Sequence, residues 1–254
     1  MNQLRGLMMK DWTIIKGYML LAFLLDIVIP LGAASLYRTE FYEGLLVFCG
    51  TMMALHILLP IILLSILFTK EMDHPDIFFH STASIHKINA SKFGIAFFVT
   101  CLSLLWMSIL TFAFTLIAPE VFDMDELLLF GAAFIAGILF FSVFVSIIYY
   151  FYLTMFYTMK PKIGGFAYIV SIGLFIFGLE MWDRIAATEL YAAITGFWVI
   201  QVSESDLLTR LSYGLMVSFG EPPTIQMGQL LISLLLLSGL YLLSARWFEK
   251  KVRA

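Results

Sequence analysis

Six stretches of about 20 or more mostly apolar residues divide this chain, at 17–37, 45–68, 93–118, 127–153, 163–182 and 227–247. An α-helix rising 1.5 Å per residue needs about that length to cross a hydrocarbon core roughly 30 Å thick. The 254 residues are 61% hydrophobic and their charges fall in short blocks, which excludes an ordinary soluble domain. Strands of a membrane barrel would appear as alternating segments of about 10 residues, and the sequence has no such pattern. The expected fold class is therefore an all-α integral membrane protein with six transmembrane helices.

The connections carry the remaining information. Residues 1–16 place Leu4, Leu7, Met8, Trp12 and Ile15 three or four apart, with Arg5, Lys10 and Lys16 largely off that stripe. The pattern predicts an N-terminal amphipathic helix lying in the headgroup plane; a plain polar overhang is the alternative. The basic start, apolar stretch and Gly32-Ala33-Ala34-Ser35 imitate a signal peptide, but Asp26 inside the apolar stretch argues for an uncleaved first span. Pro60 should kink the second span, because it removes a backbone donor. Tyr149, Tyr150 and Tyr152 suit a membrane interface at the end of the fourth span, and Lys160-Pro161-Lys162 reads as a tight basic turn. Residues 183–226 are apolar only in pieces shorter than a span, broken by Glu189, Ser203–Asp206 and Arg210. They predict re-entrant helices between the fifth and sixth spans, with a full crossing by Ala186–Val202 as the alternative.

Charge fixes the expected orientation. Of the 15 lysines and arginines, three lie in the N-terminal segment, three in the loop 69–92, two in the fourth loop and four at the C-terminus. The opposite side has only Arg38, Arg184 and Arg210. The positive-inside rule then places both termini and the 69–92 loop in the cytoplasm.

Chemistry-bearing residues are few. The chain has no G-x-x-x-x-G-K-[ST] phosphate loop, no G-x-S-x-G elbow and no H-E-x-x-H pair, so no catalytic residue is assigned and nothing predicts nucleotide hydrolysis by this chain. His74, His80 and His86 are six apart, whereas ligands on one helical face want three or four, so no metal site is expected. Cys49 and Cys101 both lie in apolar runs and read as buried, inert thiols. Asp26, His56 and Glu180 are the ionisable residues within or at the edge of spans, and intramembrane charge is costly enough to make each a substrate-path candidate. Asp26 should face other protein or a wet cavity, as a structural pair, a substrate contact or a proton carrier. His56 reads most simply as a neutral imidazole bonded to a neighbouring helix. The three are too dispersed in sequence to suggest a catalytic set.

The loop 69–92, TKEMDHPDIFFHSTASIHKINASK, is the polar island between the second and third spans. Asp73 or Asp76 can cap a short helix, Pro75 suits its first turn, and Ile77, Phe78 and Phe79 form an apolar knob. Exposed phenylalanines need a pocket, and a groove on a partner would supply one; a dip into the bilayer surface is the alternative.

Read this way, the chain resembles the permease subunits of ABC-2-type transporters. The resemblance rests on the ordered layout along the whole length and, more loosely, on Glu71 past the second span, Ile77–Phe79, the Ser84-Ile85 turn and Ser91-Lys92 opening the third span. The proline and arginine frequent in that turn in the family are replaced here by Ser81–Lys87. The resemblance implies a cytoplasmic coupling helix on which separately encoded ATP-binding-cassette ATPase subunits dock through Glu71, Asp73, Asp76, Ile77, Phe78, Phe79, His80 and Lys87. It further implies a homo- or heterodimeric permease in a bacterial plasma membrane, with ATP and Mg²⁺ held by the ATPase and no cofactor or nucleic acid in this chain. Its cargo would be an amphipathic peptide, drug or lipid, as in Gram-positive exporters of antimicrobial or cytolytic peptides. The rival reading is a six-span membrane enzyme, a protease or a lipid-modifying enzyme.

Overall fold

In the computed structural model, residues 3–36, 41–73, 83–117, 124–197, 199–201 and 224–251 are described. They form α1 (Gln3–Ala34), α2 (Phe41–Leu55), α3 (Leu59–Met72), α4 (Ile85–Ile117), α5 (Met124–Ile163), α6 (Phe166–Ala186), α7 (Glu189–Thr195), β1 (Val199–Gln201), β2 (Thr224–Gln226) and α8 (Met227–Lys251). Five of these helices are long and apolar enough to cross a membrane, and α2 with α3 makes a sixth if the bent pair is one span. The chain divides into two compact units, residues 1–146 and 147–254.

In the first unit α1 packs on α2 and α4, and α3 packs on α4. Near the C-terminal end of α1, Ala34, Leu45, Cys49, Met53, Leu104, Met107 and Ile138 form a dry core, flanked by Phe41, Phe114 and Phe134. Cys49 is buried there as expected, whereas Cys101 faces outward from α4. Farther along, the Phe23 and Trp106 rings stack 5.8 Å apart and hold α1 against α4.

Pro60 acts where the sequence predicts. Residues 56–58 leave the α-helical pattern: His56, Ile57, Leu58 and Leu59 each donate their amide to the carbonyl three residues back, and Pro60 opens α3. The two halves of the second span meet at 44°, because a proline ring removes one helical donor and crowds the carbonyl four residues earlier.

Several expected boundaries are corrected. The N-terminal segment is not a separate helix: α1 runs unbroken from Gln3 through Ala34, about 48 Å at 1.5 Å per residue. The polar island is shorter than 69–92, since Thr69–Met72 finish α3 and Ile85–Lys92 are the first turns of α4. Ser84 starts α4 by accepting the Lys87 amide on its hydroxyl.

In the second unit, the basic run Lys160–Lys162 continues α5 instead of turning. The reversal falls at Gly164, whose φ of 57° suits a residue without Cβ, and whose amide closes the helix on the Lys160 carbonyl. Tyr150 and Phe248, both fully buried, stack 6.3 Å apart between α5 and α8. Between α6 and α8 the one described helix is α7, seven residues or about 10 Å long and capped by Thr188, too short for the alternative crossing. An antiparallel ladder then pairs Val199 with Gln226, Ile200 with Ile225 and Gln201 with Thr224. Gly228 is needed where α8 starts, since a Cβ there would sit 2.3 Å from the Thr195 carbonyl oxygen.

Candidate functional site

Two polar clusters, buried apart from Lys10, join α1 and α4 of the first unit to the second span. The first lies where the N-terminal half of α1 meets the end of α3 and the start of α4. Lys92 is fully buried, its Nζ 3.1 Å from Glu71 Oε2 and 3.5 Å from Asp11 Oδ1. Lys10 Nζ contacts Glu71 Oε1 and lies 4.0 Å from Asp11 Oδ1. The Ser91 hydroxyl donates to Asp11 Oδ2 at 2.5 Å, and the Lys92 ammonium sits 5.2 Å from the centre of the Phe68 ring. A lone buried ammonium would be very costly; two lysines against two carboxylates balance the charge. Beside this cluster Lys87 Nζ donates to Gln3 Oε1 at 3.0 Å, a second tie from α4 to α1.

The expected docking residues separate accordingly. Glu71 is turned inward, 9% exposed, and spends its carboxylate on Lys10 and Lys92, so it offers no surface for a partner. Asp73 stays half-exposed in an ion pair with Lys70 at 3.8 Å, and Lys87 is exposed apart from its bond to Gln3. Asp76, Ile77, Phe78, Phe79 and His80 lie outside the described residues. Asp11 and Lys10 were not candidates at all; the signal was Asp11, an acidic residue on the apolar stripe three residues after Met8 and four before Ile15.

The second cluster is deeper. Counted along α1, Asp26 is 15 residues from Asp11, about 22 Å; along α4, Ser103 is 11 residues from Lys92, about 16 Å. Asp26, His56 and Ser103 are all buried. Ser103 Oγ lies between the other two, 2.9 Å from Asp26 Oδ2 and 2.9 Å from His56 Nε2. His56 Nε2 is 3.6 Å from Asp26 Oδ1. The other ring nitrogen, Nδ1, is 2.7 Å from the Met52 carbonyl oxygen. That carbonyl is free because the break diverts the His56 amide to Met53. The imidazole thus replaces the missing backbone donor and is held in one orientation.

Asp26 and His56, too far apart in sequence to suggest a set, are therefore brought together, and Ser103 is the third member. A serine within an apolar run gave no warning. A signal was nonetheless present: Asp26 and His56 each precede a proline by four residues, Pro30 and Pro60. In both helices the carbonyl of the ionisable residue loses its usual donor. Glu180 belongs elsewhere, outward-facing on α6 and paired with Arg184 of the same helix at 2.6 Å.

Among the described residues no group of three or more His, Cys, Asp or Glu is placed to hold a metal ion. The fold and these clusters define a helical protein with several spans long enough to cross a membrane. The chain matches no family model, no curated protein and no solved structure.

Proposed function

We propose that this chain is the permease subunit of an ATP-binding-cassette exporter of the ABC-2 type, in a bacterial plasma membrane with both termini cytoplasmic. One observation carries the reading: the Lys10–Asp11–Glu71–Lys92 cluster binds the end of α3 and the start of α4, the helices that bracket residues 73–84, to α1. A push on that connection would move three helices together, which is what a coupling element requires. The 12-to-3 distribution of lysine and arginine supports the cytoplasmic position. ATP and Mg²⁺ belong to separate ATPase subunits, a second permease completes the membrane part, and the cargo is an amphipathic peptide, drug or lipid. The docking contacts are Asp73, Asp76, Ile77, Phe78, Phe79, His80 and Lys87.

The test is to search the neighbouring genes for an ATP-binding-cassette ATPase and to attempt its capture on this chain. Wild type should co-purify with it, and Phe78→Asp/Phe79→Asp should lose it while remaining folded. Retained capture, or cysteine labelling that puts residues 73–84 outside the cell, rejects the reading.

The meeting of Asp26, His56 and Ser103 favours a second reading, a membrane enzyme with a serine nucleophile. The order of contacts opposes it. A nucleophile relay places histidine between serine and carboxylate, whereas here serine stands in the middle and Nδ1 is spent on a backbone carbonyl. Labelling of Ser103 by a serine-directed covalent probe in intact membranes would favour the enzyme.

A further inference from the structure

We propose that Asp26, Ser103 and His56 form a membrane-embedded site for a single proton, seated at the break in the second span. The inference does not depend on a partner ATPase. The site has fewer hydrogens than contacts. The Met52 carbonyl can only accept, so Nδ1 carries a hydrogen. Two 2.9 Å contacts remain, Nε2 to Oγ and Oγ to Oδ2, and each needs one hydrogen between its heavy atoms. The serine hydroxyl supplies one. With neutral imidazole and ionised carboxylate there is no other, so one contact sets lone pair against lone pair and the site holds an uncompensated negative charge.

One added proton repairs both faults. Placed on Nε2, it gives Nε2–H donating to Oγ and Oγ–H donating to Asp26. Placed on the carboxyl, it gives Asp26 O–H donating to Oγ and Oγ–H donating to Nε2. Both forms fill every contact and leave the site without net charge. They interconvert when two hydrogens shift through the serine hydroxyl, from Nε2 to Oγ and from Oγ to Oδ2 or the reverse, so a proton accepted at one end is released at the other. Among the described residues, the Cys49 thiol of α2 also lies near enough to feel the charge of Asp26.

The setting makes the proton mechanical as well as electrostatic. His56 is the first residue of the break, and its imidazole replaces a backbone donor there. Pro30 and Pro60 leave the carbonyls of Asp26 and His56 without their usual helical donors. Loss of the proton breaks one of the two contacts holding His56 to α1 and α4, at the point where the span is least constrained. The 44° bend should then change.

The experiment uses the full chain with His74, His80 and His86 changed to glutamine, leaving His56 as the one ring to observe. NMR of the ring nitrogens and of the Asp26 carboxyl carbon, assigned by its loss in Asp26→Asn, reads the state at neutral pH. The expected result is one added proton: a doubly protonated ring beside a carboxylate, or a ring protonated at Nδ1 beside a carboxylic acid. A ring protonated at Nδ1 alone beside a carboxylate overturns the proposal, as does protonation of both. Ser103→Ala keeps Asp26 and His56 but removes the hydroxyl that joins them, and should shift the pH at which the proton leaves; an unmoved value overturns the bridge. Spin labels at the outward-facing Val47 and Ile62 report the bend. A distance unchanged on crossing that pH overturns the mechanical half.

Discussion

The two polar clusters of the first unit solve one problem by different means. Both join α1, the second span and α4, both are buried apart from the half-exposed Lys10, and both contain acidic and basic side chains. At the end of the bundle, four full charges balance in two opposed pairs, and Lys92 is held from two sides. About 16–22 Å farther along the helices, one carboxylate meets one imidazole through a hydroxyl, and balance depends on a proton. Fixed charge suits a joint that must not give. A proton can leave, so the deeper joint can be released without breaking the fold.

The sharpest way to break this contrast is to neutralise one member of each cluster by an isostere. Glu71→Gln leaves Lys92 and the half-exposed Lys10 to share Asp11, and removal of one partner from a buried pair costs about 3–5 kcal/mol. Thermal unfolding of the detergent-purified protein, followed by loss of its monodisperse chromatographic peak, should record a large fall in midpoint. A loss below about 1 kcal/mol, the value of an exposed pair, would mean that water already reaches Lys92. Lys92→Met combined with Glu71→Leu comes next. The double variant should recover part of the two single losses, with a coupling of about 0.5–3 kcal/mol, because neither partner is left stranded. Simple additivity would assign the burial of Lys92 to Asp11 and Ser91 instead.

Asp26→Asn should cost less, about 0.5–1.5 kcal/mol, the value of one hydrogen bond. The asparagine amide can donate to Ser103 Oγ as the protonated carboxyl does, leaving Oγ–H for His56 Nε2, and it carries no charge needing a counter-ion, so the neutral form of the site survives. The same unfolding assay compares it directly with Glu71→Gln. Equal losses would erase the distinction between charge-balanced and proton-balanced joints.

The sequence announces the spans because a run of 20 apolar residues has few ways to satisfy its backbone in lipid. It also announces the break at Pro60, where the cause is covalent. The ends of helices around the polar island were hidden because polar residues read as loop became helix once a neighbour satisfied them. Lys87 and Lys92 extend α4 because Gln3, Asp11 and Glu71 receive them, and those partners are about 80 and 20 residues away. Asp26 and His56 were conspicuous as ionisable residues, but their meeting depends on α1 packing against the second span and α4, which no local pattern encodes. Ser103 was invisible by residue type. The prolines four residues beyond Asp26 and His56 were the one local trace, since they mark both helices as weakened at the site.

The smallest expected effect sets the scale for the others. Arg184 and Glu180 approach to 2.6 Å one turn apart on α6, closer than most contacts in either cluster, yet their side chains are 72% and 60% exposed. Distance alone would rank this pair among the strongest. Exposure reverses the order, because solvent or lipid headgroups satisfy either partner when the other is removed, and salt screens what attraction remains. Arg184→Ala should therefore cost only about 0.3–0.5 kcal/mol, the range of an exposed helical pair, and raising ionic strength should shrink even that difference. If Arg184→Ala instead approaches the Glu71→Gln loss in the same assay, another surface covers α6 in the purified protein. The contrast between the two buried joints would then need to be remeasured against a different baseline.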